Sequence, residues 1–187
     1  MVKFGLTYSA VVFATSVAFA QTALEDPSSH GTLRHRAQDS ELLRTQQAAK
    51  VRLAQAVETA EGTGSGRAVR VGFKVDGGTT QYEVKVLAAD GKFVEHHIDA
   101  NSGQVLKSEG HPIEAFFTRL RPAEVQSART TLRQAIVVAE QKAGGKASQA
   151  EVNRGGDAIR YEISVVADGR VRKVQVGEDG QAVLADE

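Results

Sequence analysis

The chain repeats itself, and the repeat limits its architecture more than any other feature. Gln55-Ala56-Val57 returns as Gln134-Ala135-Ile136, Ala60-Glu61 as Ala139-Glu140, and Tyr82-Glu83-Val84 as Tyr161-Glu162-Ile163, each pair 79 residues apart. Asp90-Gly91 returns as Asp168-Gly169 at 78, and Gly103-Gln104 as Gly180-Gln181 at 77. The two lost residues fall at turns, where a change of length is tolerated. Ordered matches of this kind identify a duplication, so one supersecondary unit is expected twice.

Each copy has the same layout. Residues Gln46 to Glu61 place Ala49, Leu53, Ala56, Val57 and Ala60 at three- and four-residue spacing, the stripe of an amphipathic helix. Gly62, Gly64 and Gly66 mark its end and a flexible helix-to-strand loop. The second helix is expected over Ala123 to Ala143, with Pro122 at its first turn and Gly144-Gly145 as its stop. Strands follow each helix. Val69, Val71, Phe73 and Val75 alternate on the first strand, and Tyr82, Val84 and Val86 on the second. Asp76-Gly77-Gly78, Asp90-Gly91 and Asn101-Ser102-Gly103 are turn signals between strands, and copy two repeats the series. The expected fold is α+β: two tandem repeats, each one helix packed on a three- to four-stranded antiparallel sheet. A unit of roughly 55 residues buries only about 60% of its unfolded surface. The two copies are therefore expected to pack together or to share a partner.

The start of the chain reads as an address. One basic residue, Lys3, precedes an apolar run from Leu6 to Ala20, and Ala18-Phe19-Ala20 gives small residues at the −3 and −1 positions before Gln21. These are the parts of a secretory signal peptide. The run is shorter than the roughly 20 residues of a spanning helix. Cleavage is expected after Ala20, giving a periplasmic or secreted product with no stable membrane insertion. The organisation is then a signal peptide (1–20), a flexible linker (21–44), a first repeat (45–109), an inter-repeat segment (110–122) and a second repeat (123–187). The inter-repeat segment carries Ile113, Phe116, Phe117 and Leu120 at helical spacing, as a docking helix or a partner-binding stripe would. Basic and acidic residues number 23 each, which argues against a nucleic-acid partner. There is no Cys, hence no disulfide framework, thiolate metal site or Cys nucleophile.

The helix followed by Tyr-Glu-Val, Asp-Gly and Asp-x-x-x-Gly-x-Val/Leu resembles the PepSY domain. Copy one supplies Tyr82-Glu83-Val84, Asp90-Gly91, Asp99, Gly103 and Val105-Leu106. Copy two supplies Tyr161-Glu162-Ile163, Asp168-Gly169, Gly180 and Val183-Leu184, and departs from the pattern at Gly177. The resemblance implies a small α+β unit without catalytic residues or cofactors. Such units occur in propeptides of secreted metallopeptidases, and as free-standing exported proteins that modulate peptidases. It therefore implies an exported non-catalytic module that inhibits or modulates a peptidase or another envelope protein. If strand-connecting turns form the binding surface, Lys92, Phe93, Arg170 and Val171 beside the Asp-Gly hairpins are the exposed candidates.

Side chains that could carry chemistry are few. His96 and His97 are neighbours on a strand and point to opposite faces, so they cannot easily share an ion. His96 lies with Val94 and Ile98 and is expected half-buried. Glu95 and His97, two residues apart, are the two candidate ligands of an incomplete metal site, and Glu95, His96, His97 and His111 together are the basis of an alternative reading as a periplasmic small-ligand or metal-binding module. His30, His35 and His111 add no ligand spacing. Asp99-Ala100-Asn101-Ser102-Gly103 lacks the order of a calcium loop and reads as a hairpin turn. Arg119, Arg121, Arg129 and Arg133, mixed with Glu114 and Glu124, read as a solvated face. No nucleophile–base pair is recognisable, so an enzyme is not expected.

Overall fold

A computed structural model describes residues 41–64, 66–111, 120–156 and 158–185. The expected signal peptide, the linker up to residue 40 and the stripe of Ile113, Phe116 and Phe117 lie outside these residues. Helix α1 covers residues 41–48, α2 Leu53–Gly62, α3 Pro122–Ser127 and α4 Leu132–Ala143. The strands are β1 (Gly66–Asp76), β2 (Thr79–Ala88), β3 (Phe93–Asp99) and β4 (Val105–His111), then β5 (Lys146–Gly155), β6 (Ala158–Ala167), β7 (Arg170–Gly177) and β8 (Ala182–Leu184). The fold is α+β, as expected, but these strands form one sheet rather than two. Its order is β4-β3-β2-β1-β5-β6-β7-β8, and every neighbouring pair is antiparallel.

The join is made by β1 and β5. Arg70 pairs with Glu151, Val71 with Ala150 and Gly72 with Gln149. Val71 and Ala150 are themselves 79 residues apart, so the junction sets a residue against its own counterpart. Helix α2 packs on β1, β2 and β3, and α4 on β5 to β8. The helices also touch each other, and buried residues from both halves form one apolar cluster. Arg52 Nη2 reaches Glu140 Oε2 across the helix pair at 2.8 Å.

Each expected helix is broken once. The apolar spacing of the first continues through residue 52, but Arg52 is extended (φ −86°, ψ 155°) and α2 begins after it. Val51 N–H donates to the Ala100 carbonyl at 3.0 Å, an interaction a continuous helix would forbid. The second helix breaks between Ser127 and Leu132, where Thr131 is the N-cap. Gln134 N–H donates to Thr131 Oγ1 at 3.2 Å, and Thr131 N–H donates to Gln134 Oε1 at 2.9 Å. This reciprocal pair is a capping box, and Thr-x-x-Gln is its sequence signal. Residues 41–44, expected as linker, are helical, and the same helix buries Gln46, whose Nε2 donates to the Ala147 carbonyl at 3.0 Å.

The breaks explain the repeated tyrosines. Tyr82 Oη donates to the Val51 carbonyl at 2.7 Å. Tyr161 Oη donates to the Thr130 carbonyl, 79 residues further on. Each break frees a carbonyl, and the tyrosine 31 residues later satisfies it inside the core. Burial pushes both phenols up to about 12; nearby carboxylates, Glu140 for Tyr82 and Glu178 for Tyr161, act in the same direction. A second contact, partly buried, also recurs: Glu61 Oε1 accepts from Ala68 N–H at 2.8 Å, and Glu140 Oε1 from Ala147 N–H at 2.9 Å. Both lie beside bulges, at Ala68/Arg70 and Ala147/Gln149.

Candidate functional site

Strand alternation gives the sheet two unlike faces. The face under α2 and α4 is apolar, with Val71, Tyr82, Val84 and Ile98 buried. The opposite face carries Lys74, Glu83, Lys85, Glu95 and His97 in the first half. In the second half it carries Glu151, Glu162, Ser164, Lys173 and Gln175.

His96 and His97 separate as the alternation requires. His96 turns to the apolar face, 6% exposed, opposite Val84. Its Nδ1 lies 2.8 Å from Ser108 Oγ and its Nε2 3.2 Å from Thr63 Oγ1. Desolvation lowers its pKa, and the neighbouring His97 adds to the effect. In the unfolded chain the imidazole titrates near its ordinary value of about 6.5. A depressed folded-state pKa means that the unfolded chain binds more protons between the two values. Stability is therefore complete above pH 6.5 and falls as pH drops below it, at no more than about 1.4 kcal/mol per pH unit for one proton. His96→Val, which installs the residue that Val174 supplies in the second half, should remove this dependence. Urea midpoints compared at pH 7.5 and 5.5 check it: a gap unchanged in the variant would assign the dependence to another group.

His97 turns to the polar face, where register completes what spacing left unfinished. Glu83 pairs with His97 across β2–β3, and Lys107 pairs with it across β3–β4. His97 Nε2 lies 3.4 Å from Glu95 Oε1 and 3.5 Å from Glu109 Oε2, and its Nδ1 lies 3.9 Å from Glu83 Oε1. One potential ligand atom each from Glu83, Glu95 and His97 lie within 4.8 Å of one another. Glu95 and His97, paired by spacing in the sequence, are thus brought together with Glu83, a partner that spacing did not identify. The signal was present: a turn centred on Asp90 sets residue 83 opposite residue 97, and one centred on Ser102 sets 95 opposite 109.

The turn residues are structural. Asp99 Oδ1 accepts from the Ser102 N–H (2.6 Å), the Ser102 hydroxyl (2.9 Å) and the Asn101 N–H (3.0 Å). These bonds, the Ser102 pair foremost, hold its carboxyl below the usual range. The carboxylate closes a hairpin turn. In the arginine cluster, Arg121 lies 3.6 Å from the half-buried Glu124 and Arg133 3.9 Å from Glu58, an exposed pair of small energetic weight.

The four hairpin candidates do not behave alike. Lys92, Arg170 and Val171 are exposed. Phe93 is 3% exposed and belongs to the core, which corrects the expectation of a surface role. It opens β3 opposite Leu87, whose carbonyl accepts from Gln126 of α3 at 2.9 Å, and Pro122 stands beside Gly91. Helix α3 thus covers this end of the sheet.

Among the described residues no helix is long and apolar enough to cross a membrane. No curated protein matches the chain. A crystal structure from Clostridium difficile 630, of a protein described as a candidate lipoprotein, aligns with 18% identity and a TM-score of 0.45. The alignment covers 74% of this chain and 95% of that one. Residues 50–109 match the family described as peptidase propeptide and YPEB domain. That span, matched by the PepSY family model, runs from the Val51 carbonyl through Tyr82 and both turns to the end of the Glu83–Glu95–His97–Glu109 face.

Proposed function

We propose that the chain is an exported, non-catalytic module that binds and modulates a peptidase or another envelope protein. In this reading residues 1–20 are a signal peptide cleaved after Ala20, and residues 123–187 are a second PepSY-like repeat. The observation that carries the reading is the family match of residues 50–109. The second repeat is supported by the equivalence of Tyr82–Val51 and Tyr161–Thr130, together with that of the two bulges. The exposed hairpin residues Lys92, Arg170 and Val171 are the proposed contact points; the two hairpins lie at opposite ends of the sheet, so each would engage a partner separately.

The test is affinity capture from envelope extract with the tagged protein, followed by identification of what is retained and assay of peptidase activity in the same fractions. A retained peptidase whose rate changes on adding the protein is the expected result. Val171→Ala and Lys92→Ala should weaken its retention. Retention of no peptidase at low and moderate salt would overturn the reading. Retention unchanged in both variants would move the contact away from the hairpins.

A further inference from the structure

We propose that Glu83, Glu95 and His97 form a binding site for a divalent first-row transition cation such as Zn²⁺, with the carboxylate of Glu109 beside it. The first observation is convergence: potential ligand atoms of Glu83, Glu95 and His97 lie within 4.8 Å of one another. The second is independent of it. His97 is 9% exposed, and its Nε2 is buried without a hydrogen-bond partner. A buried imidazole nitrogen left so is costly, and native proteins rarely tolerate it.

The distances decide what the nitrogen is suited to. It lies 3.4 Å from Glu95 Oε1 and 3.5 Å from Glu109 Oε2, without hydrogen-bond geometry to either. Bonds of about 2.0–2.1 Å in a tetrahedron place neighbouring ligands about 3.3 Å apart. The contacts of Nε2 match that ligand–ligand edge. One imidazole with carboxylates selects a borderline cation over Mg²⁺ or Ca²⁺, which take all-oxygen sets.

The neighbouring lysines shape the site and limit it. Lys107 Nζ holds Glu109 Oε1 at 2.6 Å, and Lys85 Nζ lies 3.9 Å from Glu95 Oε2. Lys107 and Lys85 take the oxygens turned away from the imidazole, leaving Glu109 Oε2 and Glu95 Oε1 facing it, whereas Lys74 Nζ holds Glu83 Oε1, the oxygen nearest His97, at 2.7 Å and would have to yield it to the cation. Their charge opposes an incoming cation, so affinity should be on the order of micromolar rather than nanomolar. The fold does not demand this arrangement. At the equivalent positions of the second half, His97 is replaced by Gln175 and Glu95 by Lys173, on the same face of the same strand. The cluster is particular to the first half.

The test is titration of the full chain with Zn²⁺ by calorimetry, with His97 followed by imidazole ¹⁵N chemical shift. One saturable equivalent is expected, with the Nε2 resonance of His97 moving on addition. His97→Asn and Glu95→Gln should each weaken binding at least about tenfold, the usual cost of a lost ligand or a disturbed ligand environment. His96→Val, which alters the imidazole on the other face, should leave binding unchanged. Circular dichroism and urea unfolding of each variant separate lost ligation from lost folding. Absence of saturable binding up to millimolar Zn²⁺, or binding that survives both His97→Asn and Glu95→Gln, would overturn the proposal.

Discussion

Ile136→Ala should lower the unfolding free energy by about 2–5 kcal/mol, the range for removing a large aliphatic side chain from a core. Ile136 is fully buried on α4, the helix that packs on β5 to β8 and touches α2 and β1. Because one cluster includes buried residues of both halves, the effect should not stay in the second half. Urea unfolding should remain a single transition, shifted as a whole to lower denaturant and coincident by tyrosine fluorescence and far-ultraviolet circular dichroism. Two separated transitions in the variant would show that the halves unfold independently. Against a typical total of about 5–15 kcal/mol, the expected loss is a large fraction of the stability.

Gly145→Ala should cost a comparable amount, about 3 kcal/mol, by crowding rather than by cavity. A Cβ on Gly145 would meet the Val166 carbonyl oxygen at 2.2 Å and its carbon at 2.7 Å, both backbone atoms that cannot rotate away. Gly66, 79 residues earlier, faces the same obstacle: its Cβ would meet Leu87 O at 2.8 Å and Val86 Cγ1 at 2.6 Å. Each glycine lets the start of a strand lie tightly on its neighbour just after the helix. Gly66→Ala should therefore be destabilising as well, and somewhat less, since one of its contacts is a side chain. Gly62→Ala is the control, because nothing lies within 4 Å of its Cβ position. Thermal or urea midpoints measure all three, and equal stability of Gly145→Ala and wild type would contradict the close approach.

These glycines show where sequence reading stops. Helical spacing placed α2 and α4, and Asp-Gly turns placed the hairpins, because both signals are local. The breaks before α2 and α4 were hidden by an apolar spacing that runs through them, although Thr131-x-x-Gln134 carried a readable cap. Gly66 was legible as an end of helix but not as a close approach, which depends on β2. The joining of β1 to β5 had no signal at all, since a pairing of three residues between distant strands involves no turn. Phe93 follows a turn and so read as exposed, yet α3, distant in sequence, covers its end of the sheet. In the cation cluster, Glu95 and His97 were visible as neighbours on one strand. Glu83 required the register of a second strand, which the turn centre already fixed.

The single sheet also bears on how the molecule behaves in concentrated solution. Two separate meanders would present four open backbone edges, each a template for another chain. Among the described residues, joining β1 to β5 leaves two, and they are guarded by different means. Edge strand β4 runs seven residues and exposes Leu106 at 51%, but it carries the charges of Lys107 and Glu109. Edge strand β8 exposes Val183 at 60%, but it is only three residues long, too short to seed a ladder. Resistance to edge-to-edge aggregation thus rests on charge at one end of the sheet and on brevity at the other.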